Sequence, residues 1–142
     1  MKLTDVNLLI YATDETSPRF DSAMRWVEQL LNGDETVAFS WTVLLAYLRL
    51  TTKPQIVASP LTADQALDTI DGWLRLPQVI VVNPTDRHVS VRRELLAPLG
   101  TGGNLTADAH LAALAIEHGA TLCSSDGDFR RFAGLRWEDP LS

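Results

Sequence analysis

Three aspartates, Asp5, Asp108 and Asp126, are the residues of this chain whose surroundings suit joint chemistry. Each lies beside an apolar stretch that fixes its backbone. Asp5 follows "MKLT", Asp126 follows "ATLCSS", and Asp108 falls in the first turn of "TADAHLAALAIEH". Three carboxylates gathered at one place repel, and their pKa values rise. A hard divalent cation removes that penalty, and magnesium takes oxygen ligands while keeping several waters. Such a cation polarises a phosphoryl oxygen and acidifies an attacking water, so the matching reaction is metal-assisted phosphodiester hydrolysis. Each aspartate also has a plainer reading. Asp5 can close a local turn, Asp108 can answer the dipole of its helix, and Asp126-Gly127-Asp128 can be an Asx turn. It is the three placements together that favour a metal site.

The aspartates meet only if the elements beside them share one sheet edge. Lys2 to Asp5 reads as a first strand, "TVAFS" (36–40) as a second, "VIVV" (79–82) as a third and "ATLCSS" as a fourth; "LRWE" adds a short last one. Helical spacing of apolar residues predicts helices over 19–31 and 41–50. Thr62 and Gln65 form a capping box for the next helix, which Pro77 ends. Asp86 is placed to cap a helix running to Leu99, "GTGGN" reads as a flexible loop, and a helix over 106–118 stops at Gly119. "VIVV" is a continuous apolar run of the kind buried on both faces. Strands alternating with helices predict an α/β fold, one domain over 1–142, with a central, mostly parallel sheet of about five strands flanked by helices. In such sheets ligands bind at the carboxyl ends of the strands. Asp5 and Asp126 fall there, and the first turn of the helix carrying Asp108 points to the same edge.

Bulk composition narrows the classes. A chain of 142 residues that is 46% apolar is long enough for a real core, and 21% charged residues argue against disorder. The single cysteine, Cys123, allows neither an internal disulfide nor a cysteine-based zinc site, and reads as a small buried hydrophobe. The net charge of −6 argues against a simple basic nucleic-acid binder, but carboxylates around a cation make a site whose sign the metal sets. The N-terminal stretch is too short and polar for a signal peptide, and no apolar run approaches a membrane span. A cytoplasmic protein is the expectation, without a membrane partner.

"TDVNLLIYA", "GNLTADAHLAALAIEHGATLCSSDGDFRRF" and the closing "GLRWEDPL" resemble the PIN-domain ribonucleases, closest to the VapC toxins of type II toxin–antitoxin operons. The resemblance covers nearly the whole chain. It implies an endoribonuclease that hydrolyses RNA phosphodiesters, typically in tRNA or ribosomal RNA, with Mg²⁺ or with Mn²⁺ in its place. The products carry a 5′-phosphate and a 3′-hydroxyl. Asp5, Asp108 and Asp126 resemble the catalytic, metal-binding acids of the family, Asp128 an assisting acid two residues on, and Asn104 a polar residue beside the site. The resemblance also implies a cognate VapB antitoxin whose C-terminal segment enters the acidic site, a homodimer and a toxin–antitoxin hetero-oligomer. One departure stands out. The family has a glutamate in the helix after the second strand, whereas this chain has Ala46 there and no acid between Glu35 and Asp64. Three carboxylates with waters can still hold one magnesium.

Other polar residues are weighed against blander roles. Arg49, Arg92, Arg93, Arg130 and Arg131 are candidates for RNA backbone contact. His88, His110 and His118 read as surface or packing residues, His110 being the one placed near the site. Met24 and Trp73 are candidates for a dimer face. Two rivals remain. A phospho-receiver domain needs an acceptor aspartate and a lysine at strand ends, which "AFSW" and "VVNP" do not supply; Lys2 and Lys53 are the only lysines. A degenerate, non-cleaving PIN domain that binds RNA or a partner is kept alive by the missing glutamate.

Overall fold

The computed structural model describes residues 1–142. Five short strands, β1 (Lys2–Thr4), β2 (Val37–Phe39), β3 (Val79–Val81), β4 (Thr121–Cys123) and β5 (Trp137–Glu138), form one sheet in the order β3-β2-β1-β4-β5. Every pairing is parallel. The helices are α1 (Val6–Tyr11), α2 (Phe20–Leu31), α3 (Trp41–Thr51), α4 (Ala63–Leu74), α5 (His88–Leu96) and α6 (Thr106–His118). The chain steps outward from β1 to β2 to β3, then returns across the sheet to β4 and β5. Helices α1–α4 pack on one another and α5 packs on α6, and the right-handed rule for parallel crossovers assigns the two groups to opposite faces. The direction reverses between β1 and β4, which makes a crevice at their carboxyl ends.

The predicted elements form, with instructive exceptions. The Thr62–Gln65 capping box is present in both directions, at 3.1 and 3.0 Å. Gly119 ends α6 at φ +67°, a left-handed conformation that glycine adopts without penalty. Helix α6 buries Ala109, Leu111, Ala112, Ala113, Leu114 and Ala115. It is therefore enclosed on nearly all sides rather than along one stripe. The central strands bury Leu3, Val37, Ala38, Phe39, Leu122 and Cys123, as apolar runs in a covered sheet should. Trp73 stacks on Phe39 at 5.5 Å and meets Tyr47 edge-on at 4.9 Å, so it faces the core rather than a dimer partner.

Three local expectations are corrected. The "VIVV" strand is not buried on both faces: β3 is the sheet edge, and Ile80 is 39% exposed. Helix α5 starts at His88 after Arg87 and has no side-chain cap, so Asp86 does not cap it. The "GTGGN" segment contains a 3-10 turn over Gly103–Leu105 that leads directly into α6. Residues Val6–Tyr11, to which the sequence assigned no element, form helix α1, capped by Asp5. No helix is long and apolar enough to cross a membrane.

Candidate active site

The register of β1 and β4 pairs Thr4 with Cys123. The next residue on each strand, Asp5 and Ser124, therefore faces the other across the crevice. Ser124 Oγ donates to Asp5 Oδ2 at 2.7 Å, and the Val6 amide donates to Asp5 Oδ1 at 2.8 Å. The same hydroxyl oxygen accepts from Asn7 Nδ2 at 3.2 Å and from the Asp126 amide at 3.0 Å. Ser124 is fully buried. It is thus a hub that ties the first acid to the turn carrying the third. Burial pushes the Asp5 carboxyl up, the bonds from Ser124 and Val6 pull it back, and the charge of Asp126 adds a further push; the net direction is upward.

Asp126 caps a 3-10 turn over Gly127–Arg131 by accepting from the Asp128 amide at 2.9 Å. Asp128 follows this cap inside the turn. Gly127 has no left-handed φ, and a Cβ there would meet nothing within 4 Å. The turn does not depend on that glycine. Phe129 is buried and anchors the turn.

Asp108 stands in the first turn of α6. One oxygen from each of Asp108, Asp126 and Asp128 lies within 4.8 Å of the others. Burial is the main cause that lifts the Asp108 carboxyl to about 6, with the charges of Asp126, Asp5 and Asp128 adding to it. The added push from these charges is the repulsion expected of carboxylates sharing a site. The donor set is all carboxylate oxygen, which fits a hard divalent cation. Asp5 is not within the close trio, but its charge is felt by Asp108 and it lines the same cleft.

That cleft has a volume of about 590 Å³. Asp5, Asp108, Thr42, Ala46, Arg92 and Asn104 are among its walls. Asn104 is thus placed beside the site. Ala46 occupies the wall where a glutamate was expected, so helix α3 brings no carboxylate. Arg49, on the same helix, is exposed and does not line the cleft. Arg130 lies over the Trp137 ring, 5.2 Å from its centroid, and Arg131 approaches Asp128 at 3.8 Å. Arg92 reaches the cleft while Arg93 does not; Arg92 also donates to the Thr106 carbonyl at 3.0 Å.

Sequence reasoning missed Ser124 and Asn7 because it searched for carboxylates. The signal was available: a serine directly follows the last buried residue of β4, as Asp5 follows β1. It also missed the histidines' pairing. His88 and His110 are 22 residues apart, yet His110 Nδ1 meets His88 Nε2 at 3.1 Å, and His88 Nδ1 meets Glu117 Oε2 at 2.6 Å. Burial, then the neighbouring charges of His88 and Arg92, hold the His110 ring below its ordinary pKa. Burial raises the Glu117 carboxyl, but hydrogen bonds from Thr85 and His88 outweigh it and hold it low. His118 lies apart, within 2.7 Å of the Asn83 carbonyl.

The family model described as "PIN domain" matches residues 2–135. Ribonuclease VapC37 of Mycobacterium tuberculosis is 44% identical over 140 residues, covering 99% of this chain and 97% of that protein. Ribonuclease VapC48 of the same species is 40% identical over 139 residues, covering 97% and 96%. Among solved structures, VapBC2 from Rickettsia felis bound to a promoter DNA fragment superposes with a TM-score of 0.69 at 23% identity, over 96% of each chain. Mycobacterium tuberculosis VapC20, a Sarcin-Ricin loop cleaving toxin, superposes at 0.63 and 19% identity, over 96% of this chain and 99% of that one. At those identities the structures speak for the fold. The family match and the relatives' identity along almost the full length go further: this chain belongs to the PIN-domain family, in its VapC branch.

Proposed function

We propose that this protein is the toxin of a VapBC-type toxin–antitoxin system, an endoribonuclease that hydrolyses RNA phosphodiester bonds with Mg²⁺, for which Mn²⁺ can substitute. The observation that carries this is the convergence of Asp108, Asp126 and Asp128, with Asp5 lining the cleft beside Asp108, at the switch point of the sheet. The relatives above are named ribonucleases, which supports a cleaving enzyme over a non-cleaving binder.

Asp108, Asp126 and Asp128 would hold the cation, with Asp5 completing the acidic wall. When bound, it supplies charge to polarise a phosphoryl oxygen and to lower the pKa of a water. The chain's own residues do the rest. Ser124 and the Val6 amide fix the Asp5 carboxylate against the cleft, where it can accept a proton from an attacking water. Arg92 and Asn104 bring N–H donors to the cleft wall, where they can hold phosphate oxygens and the charge that develops on them. With Ala46 on α3 the acidic wall has one carboxylate fewer, and one cation is the number these residues suit. A cytoplasmic location, a VapB-type antitoxin that covers the acidic cleft, and a homodimer inside a toxin–antitoxin hetero-oligomer complete the reading. The neighbouring solved structures include VapBC complexes, which supports it.

Sequencing of RNA 5′ ends after induced expression tests the activity. Wild type should create one or a few new 5′-phosphate ends, dependent on added Mg²⁺ in purified reactions and suppressed by a co-expressed antitoxin. Asp5→Asn should remove them with the fold intact. New ends of equal yield in Asp5→Asn would refute the assignment.

A further inference from the structure

The Glu117–His88–His110 chain reaches the cleft through His110, and none of its members belongs to the carboxylate trio. It bridges α5 and α6. The Glu117 side chain is fully covered and also accepts from the Thr85 amide at 2.9 Å. A carboxylate can only accept, so His88 Nδ1 carries a hydrogen. Above the pH range in which imidazoles are charged, each ring holds one hydrogen, and His88 Nε2 is then the acceptor and His110 Nδ1 the donor. His110 Nε2 is then left with a bare lone pair. It makes no hydrogen bond within the chain, although His110 lines the cleft beside Arg92, Asn104 and Asp108.

That lone pair is not placed for the metal. The trio contains no histidine nitrogen. Asp108 and His110 are two positions apart, about 200° around a helix, so they reach the cleft at different points. What the nitrogen needs is a hydrogen-bond donor on the substrate. Phosphate offers only acceptors, which suit Arg92 and Asn104. Along a nucleic-acid backbone the sugar donor is the ribose 2′-hydroxyl, the group that separates RNA from DNA.

We propose that His110 reads ribose: its Nε2 accepts a hydrogen bond from the 2′-hydroxyl of a nucleotide beside the scissile phosphate. His88 and Glu117 are positioning residues that set its tautomer. The proposal rests on the ribonuclease reading above. Its test uses RNA oligonucleotides spanning the cleavage site mapped in cells, each with a single 2′-deoxy substitution at successive nucleotides near the cut. Wild type should lose about tenfold in kcat/KM at one such position, the loss of one hydrogen bond. In His110→Ala the all-RNA oligonucleotide should be cleaved about tenfold more slowly, and the same 2′-deoxy substitution should cost nothing more. His110→Gln, whose amide oxygen can accept, keeps the volume and should restore part of the loss. Glu117→Gln should shrink the 2′-deoxy penalty without touching substrate. A purely structural role would slow all oligonucleotides alike and leave the penalty intact. An unchanged penalty in His110→Ala and His110→Gln, or no penalty at any position in wild type, overturns the proposal while the ribonuclease reading stands. If wild type cleaves no RNA at all, both fall.

Discussion

Asp108→Asn should make the metal-free protein more stable at pH 8 and less able to gain stability from Mg²⁺. The carboxyl has no hydrogen bond within the chain, so the amide breaks none. Its pKa stands at about 6 against an ordinary 3.8. At 1.36 kcal/mol per decade of proton affinity, that gap amounts to about 3 kcal/mol for the charged form. Asp108 is half-buried, so solvent screening reduces the figure to roughly 1.5 kcal/mol. The substitution also removes a favourable charge from the first turn of α6, at a cost of about 0.5 kcal/mol. The net gain is about 1 kcal/mol, or roughly 3–4 °C in Tm for a chain of this size. The sign with pH follows from linkage. The folded state binds a proton near pH 6 that the unfolded state binds only near 3.8. Wild type therefore gains stability as pH falls from about 7 to about 4, and Asp108→Asn lacks that gain. Thermal melts by circular dichroism in EDTA, at pH 8 and pH 4.5, read both quantities. The advantage of the variant should be present at pH 8 and gone at 4.5. With Mg²⁺ added at pH 8, wild type should recover and overtake it. A variant less stable than wild type at pH 8 in EDTA would refute the argument that burial and the neighbouring carboxylates oppose the charge of Asp108.

Two further substitutions probe the same site from other sides. Ser124→Ala removes the hub that joins Asp5, Asn7 and the Asp126 amide, and should cost about 2 kcal/mol in urea unfolding with at least a tenfold fall in RNA cleavage; wild-type values for both would show that the hub does not organise the acids. Ala46→Glu places a carboxylate on the cleft wall, and calorimetry should show roughly tenfold tighter Mg²⁺ binding together with a lower Tm in EDTA at pH 8. Unchanged affinity there would mean that helix α3 does not face the cation.

The site was legible where chemistry coincides with a strand end. Asp5 and Asp126 could be placed because short apolar runs precede them, and a parallel sheet delivers such residues to one edge. Asp108 could be placed because a helix start is marked by its sequence. The missing acid at Ala46 was equally plain, since no carboxylate lies between Glu35 and Asp64. Some local readings gave way to tertiary context. Val79–Val81 has the composition of a buried strand, but its place in the sheet order decides its exposure, and β3 lies at the edge.

Sequence alone thus determined the alternation of elements, the α/β class and the identity of the acids, because these depend on local periodicity and on the residues that cap and end each element. Tertiary structure decided which side chains touch. The register of β1 on β4 set Ser124 against Asp5. The packing of α5 on α6 joined His88 to His110 and Glu117 across 22 and 29 residues. Such contacts arise from strand pairing and helix packing between distant segments, and no local pattern records them.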